Sequence, residues 1–188
     1  MSFVAIYDAC VLYPNYLRDL LIRIARTDLV QAKWSEEILD EAFRSISKNR
    51  PDLEPAKLAR TRRLICEAVE DCLITNYEAL AKSIALPDPH DRHVLAAAIK
   101  AGAQVIVTAN LSDFPEALLL PYNLVAVEPD EFILNQIDLK PLLIAQIITE
   151  ALEDYAKPRL TLEDLLAIYE RSGLARSTQR LRKLMQAR

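Results

Sequence analysis

Short, almost wholly apolar runs alternate along this chain with segments of helical spacing, and few folds accommodate that alternation. Phe3–Tyr7 is a continuous apolar run of the kind buried on both faces of a parallel sheet. Asn15–Arg26 follows, with Leu17, Leu20, Leu21, Ile24 and Ala25 at helical spacing. Leu29–Trp34 reads as a second, shorter strand. Ser35 is placed to N-cap a helix over 35–47 that turns Ile38, Leu39, Ala42 and Phe43 inward. Pro51-Asp52-Leu53-Glu54-Pro55 breaks the chain before a helix from Ala56. Leu73–Thr75 reads as a weak third strand and Tyr77–Ile84 as a short helix. Asp88 or Asp91 caps the next helix, whose stripe Val94-Leu95-Ala96-Ala97-Ala98-Ile99 is small enough to lie close to a sheet, and Gly102 ends it. Gln104–Thr108 and Leu124–Val127 supply the last strands. This order predicts a central parallel sheet of about five strands with right-handed crossovers and helices on both faces, a three-layer α/β/α domain.

From about Glu131 the pattern is helical to the end. Pro141–Tyr155 is amphipathic, Lys157-Pro158 breaks it, Thr161-Leu162-Glu163-Asp164 opens a further helix in capping-box style, and a basic helix runs over Ser177–Gln186. The expected organisation is an α/β domain over 1–134 and a helical extension over 135–188. Only 2 glycines argue against a Gly-rich phosphate loop, and 52% hydrophobic residues supply a real core. Cys10, Cys66 and Cys72 are odd in number with no CxxC pair, and read as reduced core residues of a cytoplasmic protein. No basic n-region precedes the first apolar run, so no signal peptide is expected. No apolar stretch approaches the ~20 residues that span a bilayer, so no membrane partner is expected.

Acids recur at the ends of these elements. Asp8 follows the first strand. Glu36, Glu37, Asp40 and Glu41 sit on the 35–47 helix, where Glu41 borders the buried stripe best and Glu37 comes second. Asp88 and Asp91 bracket a helix start, one as cap and the other free to aim its oxygens elsewhere. Thr108, Asn110 and Asp113 follow the fourth strand, with the Thr hydroxyl and Asn amide suited to orienting a carboxylate or a metal-bound water. Each has an ordinary explanation as a turn, a cap or a solvated face. Together they fall at the carboxyl rim of a parallel sheet, where such folds place their sites. Carboxylates gathered there repel one another and favour a divalent cation. His90 and His93, three apart, lack a third nitrogen or sulfur ligand for zinc.

These residues resemble the PIN domain family of metal-dependent ribonucleases, which includes the VapC-type toxins of toxin–antitoxin pairs. The resemblance covers roughly residues 3–134. Asp8 in Ile6-Tyr7-Asp8-Ala9-Cys10-Val11-Leu12 looks like the family's first acid, Glu41 like the second, Asp91 in Asp91-Arg92-His93-Val94-Leu95-Ala96-Ala97-Ala98 like the third, and Asp113 in Thr108-Ala109-Asn110-Leu111-Ser112-Asp113-Phe114 like the fourth. Val127-Glu128-Pro129-Asp130-Glu131-Phe132 resembles the usual exit from the domain. Cys10 departs from the pattern, since many members carry Asn there, and one supporting contact is thereby in question. The resemblance implies Asp8, Asp91 and Asp113 around Mg²⁺ or Mn²⁺, which oxygen-only ligands favour, with Glu41 completing the ring and Asp88, Thr108 and Asn110 in support. A metal-activated water would then attack an RNA phosphodiester in line.

The net charge of -4 is unusual for a nucleic-acid binder, but its distribution is uneven. Residues 44–63 hold Arg44, Lys48, Arg50, Lys57, Arg60, Arg62 and Arg63, and 171–188 hold Arg171, Arg176, Arg180, Arg182, Lys183 and Arg188. Arg44, Lys48, Arg60 and Arg63 are the residues expected to track RNA. Two rival readings stand beside the nuclease: a HAD-type phosphatase, which needs a second Asp where Cys10 stands, and a non-catalytic PIN-like scaffold for RNA or a protein. Residues 161–186 also have helix-turn-helix proportions. A toxin implies a small antitoxin partner, and the amphipathic extension is expected to serve either as a lid over the core or as a homodimer face.

Overall fold

β1 (Phe3–Tyr7) lies at the centre of a five-stranded parallel sheet of order β3-β2-β1-β4-β5, formed with β2 (Val30–Ser35), β3 (Leu73–Ile74), β4 (Val105–Val107) and β5 (Val125–Val127). The computed structural model describes residues 3–155 and 159–186, so the expected break at Lys157-Pro158 and the basic Arg188 lie outside the described residues. Ala5 pairs with Ala32 on one side and with Val105 on the other, which sets both registers around the middle strand. The chain runs outward from β1 through α1 (Ala9–Leu12) and α2 (Asn15–Ala25) to β2, then through α3 (Glu36–Asn49) and α4 (Pro55–Ala68) to β3. It returns through α5 (Glu78–Ala81) and α6 (Arg92–Ala101) to β4, and through α7 (Glu116–Leu119) to β5. The direction of winding therefore reverses at β1 and β4, and the crevice beyond their carboxyl ends is the topological switch point.

The expected elements form with small shifts at their ends. Ser35 closes β2 and also accepts from the Ile38 N–H at 3.2 Å, capping α3 as its sequence position predicts. Gly102 ends α6 at φ +62°, a left-handed turn that favours glycine. On one side of β1, Tyr7 stacks on Trp34, meets Phe132 edge-on, and donates its hydroxyl to Leu21 O at 3.4 Å. The small face of α6, buried from His93 to Ala98, lies against β1, β2 and β4.

The extension is built from α8 (Pro129–Leu139), α9 (Pro141–Asp154), α10 (Leu162–Arg171) and α11 (Ala175–Gln186). The expected boundary after residue 134 falls within α8. Ile137, Ile144, Ile148, Leu165, Tyr169 and Leu181 join the same buried cluster as the sheet, so one core serves both parts. α9 and α10 pack on α2, where Arg23 bridges Asp19 at 2.8 Å and Asp154 at 2.9 Å. The arginines of α11 pair along its surface: Arg176 with Asp130, Arg180 with Asp138 and Arg182 with Glu163. These pairs link the helix to α8 and α10 and offset part of its positive charge.

Asp130 is the latch. Its carboxylate accepts from the backbone N–H of Arg176 at 3.0 Å and of Ser177 at 2.8 Å, at the start of α11. Asp130 is buried, and although burial alone would raise its pKa, the bonds from Ser177 and Arg176 outweigh it and hold the carboxyl below its ordinary value. Asp130→Ala is expected to lower stability by about 1.5–3 kcal/mol in denaturant titrations. A depressed acid stabilises the fold above its unfolded pKa, near 4, and loses that contribution as pH falls through the lower folded value. The difference between parent and variant is therefore expected to be full at pH 7 and to shrink below about pH 4.

Candidate active site

Asp8 begins where β1 ends. Its N–H still donates to Val107 O at 3.1 Å, so the ladder to β4 carries it to the rim beside Thr108. The Thr108 hydroxyl donates to Asp8 Oδ2 at 2.7 Å, and the Ala9 N–H donates to Oδ1 at 2.6 Å. The Asp8 side chain is thereby fixed in a wall where it is only 4% exposed. Burial raises the Asp8 pKa above its ordinary value and the charge of Glu41 adds to this, against the lowering effect of Thr108, Cys10 and Ala9.

Cys10, the departure from the family pattern, keeps a supporting contact by other means. Its thiol donates to Asp8 Oδ2 at 3.2 Å and its sulfur accepts from the Ala109 N–H at 3.2 Å. Burial, and then the Asp8 charge, push the thiol up to about 12, so it stays a protonated donor. Asn110 differs from expectation: it joins the network through its backbone N–H, which donates to Thr108 Oγ1 at 3.0 Å, while its side chain is exposed.

The two acids before α6 divide their roles. Asp88 Oδ1 accepts from the His90 N–H at 2.8 Å and caps the turn Pro89–Asp91. Asp91 occupies the N-cap position of α6 but makes no capping bond. Its carboxyl is pushed up to about 6, first by burial and then by the charges of Asp8, Asp113, Asp88 and Glu41. That response shows four other carboxylates crowding one group. Asp113 is half-buried in the turn Leu111–Asp113, with the Ser112 hydroxyl 3.4 Å from its Oδ1.

α3 sorts its own acids by face. Glu36 and Asp40 line the same cleft as Glu37 and Glu41 but are held there by Arg62 of α4. Glu37 and Glu41, one turn apart, face His93, with Oε2 atoms 3.8 Å from Nδ1 and 3.6 Å from Nε2 respectively. Burial pulls the His93 pKa down, but Glu41 and Glu37 outweigh it and hold the imidazole above its ordinary value. The Tyr77 hydroxyl donates to Glu37 at 3.2 Å. His93 thus stands between the two glutamates, which favour its charged form. Its place on the buried stripe of α6, two residues past Asp91, was the available signal. Arg44 lines the same cleft, of about 670 Å³, with Glu37, Glu41, His90 and His93. Lys48 is exposed further along α3, and Arg60 and Arg63 are exposed on α4, where Arg63 pairs with Glu67 at 3.3 Å.

Among the described residues, no group of three or more His, Cys, Asp or Glu side chains is placed to hold a metal ion. In its chemistry the rim set suits a hard divalent cation: it is all oxygen, and its negative charge adds to the burial that raises Asp91.

Residues 5–112 match the family model described as PIN domain, and the chain belongs to the PIN domain family. Residues 129–183 match the model described as VapC50 C-terminal domain, which coincides with α8 to α11. Over 76 residues the chain is 45% identical to the "Putative ribonuclease VapC50" of Mycobacterium tuberculosis (strain ATCC 25618 / H37Rv), an alignment covering 40% of this chain and 45% of that protein. The match therefore spans less than half the length of this curated relative. No solved structure matches the chain.

An acid raised from 3.8 to about 6 opposes folding as pH climbs through that window, because the folded state resists its ionisation. Asp91→Asn is therefore expected to stabilise the metal-free protein at pH 7, by on the order of 1 kcal/mol after allowance for solvent screening. The gain should vanish at pH 4. Thermal melts of parent and variant at the two pH values check both signs.

Proposed function

We propose that this chain is a metal-dependent endoribonuclease, the toxin of a type II toxin–antitoxin pair, acting in the cytoplasm. What supports this reading is that Asp8, Glu41, Asp91 and Asp113, from four separate segments, lie near enough for the other three to add to the burial that raises Asp91. In this reading residues 1–134 form the nuclease unit and 135–188 an extension that buttresses it.

Asp8, Asp91 and Asp113 would hold Mg²⁺ or Mn²⁺, with Glu41 completing the negative ring and Asp88 holding the turn that presents Asp91. A divalent ion bound there supplies Lewis acidity at the phosphodiester and relieves the carboxylate repulsion. Thr108 and Cys10 hold the Asp8 carboxylate in one orientation, which limits reorganisation during reaction. His93, whose charged form Glu37 and Glu41 favour, would in that form lessen the repulsion of an incoming phosphate. Arg44, on the cleft wall, is placed to meet the RNA backbone, with Lys48, Arg60 and Arg63 further out. A small antitoxin would mask this cleft.

The phosphatase reading lacks its second acid, since Cys10 supplies a protonated thiol there. The scaffold reading is separated by experiment. Purified protein is expected to cut a mixed cellular RNA pool into discrete fragments with Mg²⁺ or Mn²⁺ and to lose the activity in EDTA. Asp8→Asn is expected to reduce cleavage by at least roughly 100-fold while leaving the fold intact by circular dichroism. Cleavage that persists in EDTA or in the folded variant would refute the metal-centred reading. A metal-binding parent that cuts nothing would favour the scaffold.

A further inference from the structure

A cavity of about 530 Å³ opens between the start of α2 and the facing sides of α3 and α4, with Tyr13, Tyr16, Arg18, Leu53, Leu58 and Thr61 in its walls. Its volume is that of a small-molecule site. Arg18 decides its chemistry. This side chain is only 7% exposed, stands 5.8 Å over the Phe43 ring, and donates to Leu12 O at 2.7 Å, Tyr13 O at 3.1 Å and Asn15 Oδ1 at 2.9 Å. Those bonds explain how it holds the end of α1. They leave its positive charge in a desolvated wall with neutral acceptors only, the charge of Asp19 acting on it from beyond hydrogen-bonding range. A buried charge held this way gains from a close anion.

The cavity also continues the acidic site. Tyr13 lines a second cleft, of about 300 Å³, together with Cys10 and Glu41, so a strand leaving the acids meets Tyr13 next and the cavity behind it. Aromatic rings beside a guanidinium and hydroxyl and amide groups suit a nucleotide better than an acidic peptide, since a base offers a face to stack and a phosphate offers the charge.

We propose that this cavity is a nucleotide subsite of the RNA-cleaving centre, in which Arg18 receives a backbone phosphate and Tyr13 and Tyr16 flank the base. The subsite rests on the ribonuclease reading above, and the test keeps the two apart. Binding of a labelled single-stranded oligoribonucleotide is measured by fluorescence anisotropy in the full chain carrying Asp8→Asn, and turnover of the same oligomer and of a dinucleotide in the otherwise unchanged chain. Arg18→Gln removes the charge. Thr61→Glu leaves Arg18 and its contacts in place and puts a carboxylate into the cavity. Each is expected to weaken oligomer binding about tenfold and to flatten its salt dependence by about one unit of slope. Thr61→Glu is expected to raise the oligomer KM while leaving dinucleotide turnover unchanged. Unaltered oligomer affinity in folded Thr61→Glu overturns the subsite, as does a polyglutamate peptide that binds in place of RNA and is lost in that variant. RNA binding that is sensitive to Thr61→Glu, in a parent that cleaves neither substrate, overturns the ribonuclease reading and leaves the nucleotide site standing.

Discussion

The hydrogen bond from Thr108 to Asp8 joins residues one hundred positions apart, and the site depends on the alignment that makes it possible. It forms because β1 and β4 are neighbours in parallel register and end together, with Tyr7 opposite Val107. That adjacency follows from the winding reversal, which places the fourth strand beside the first. A sheet wound in one direction only would separate them. The carboxylate rim therefore comes from topology: Asp8 follows β1, Asp91 precedes α6, Asp113 sits in the turn after β4, and α3 contributes Glu41. Asp8 is also buried, and its bonds from Thr108, Cys10 and Ala9 offset part of the rise that burial imposes on its pKa.

The fold was largely legible because its signals were redundant. The apolar run before Asp8, the Ser35 cap, the small stripe of α6 and Gly102 each point to the same element boundaries that the structure shows. Residue type alone could not separate Asp91 from Asp88, since both are aspartates able to cap a helix. The family resemblance chose Asp91, and in the structure Asp88 caps the turn Pro89–Asp91. Likewise four acids on α3 could be narrowed by helical periodicity to Glu41 and Glu37. It took Arg62, 22 residues beyond Asp40, to show where the other two are held.

What escaped the sequence was partnership across distance. For His93 the sequence offered only His90 as a neighbour, a pair too small for zinc. Its actual partners, Glu37 and Glu41, come from α3 and are brought close by packing. The basic α11 looked like a surface for nucleic acid, yet its arginines meet Asp130, Asp138 and Glu163, acids that linear reading assigned to other helices. A charge run reports composition, and its meaning depends on whether the fold supplies counter-charges. For α11 it does.

The same principle bears on how a chain of net charge -4 could hold a polyanion. Within 44–63, Arg50 is held by Asp52, Lys57 by Glu54, Arg62 by Glu36 and Asp40, and Arg63 by Glu67. Arg44, Lys48 and Arg60 make no ion pair among the described residues, and Arg44 lines the acidic cleft itself. Long-range repulsion from the rest of the surface is screened beyond about 8–10 Å at physiological salt, so local cations govern the approach. A divalent ion among the rim carboxylates would reverse the sign of the cleft at short range. On the proposed reading, the acids that repel RNA without a divalent ion would be the groups that let an ion-bearing cleft attract it.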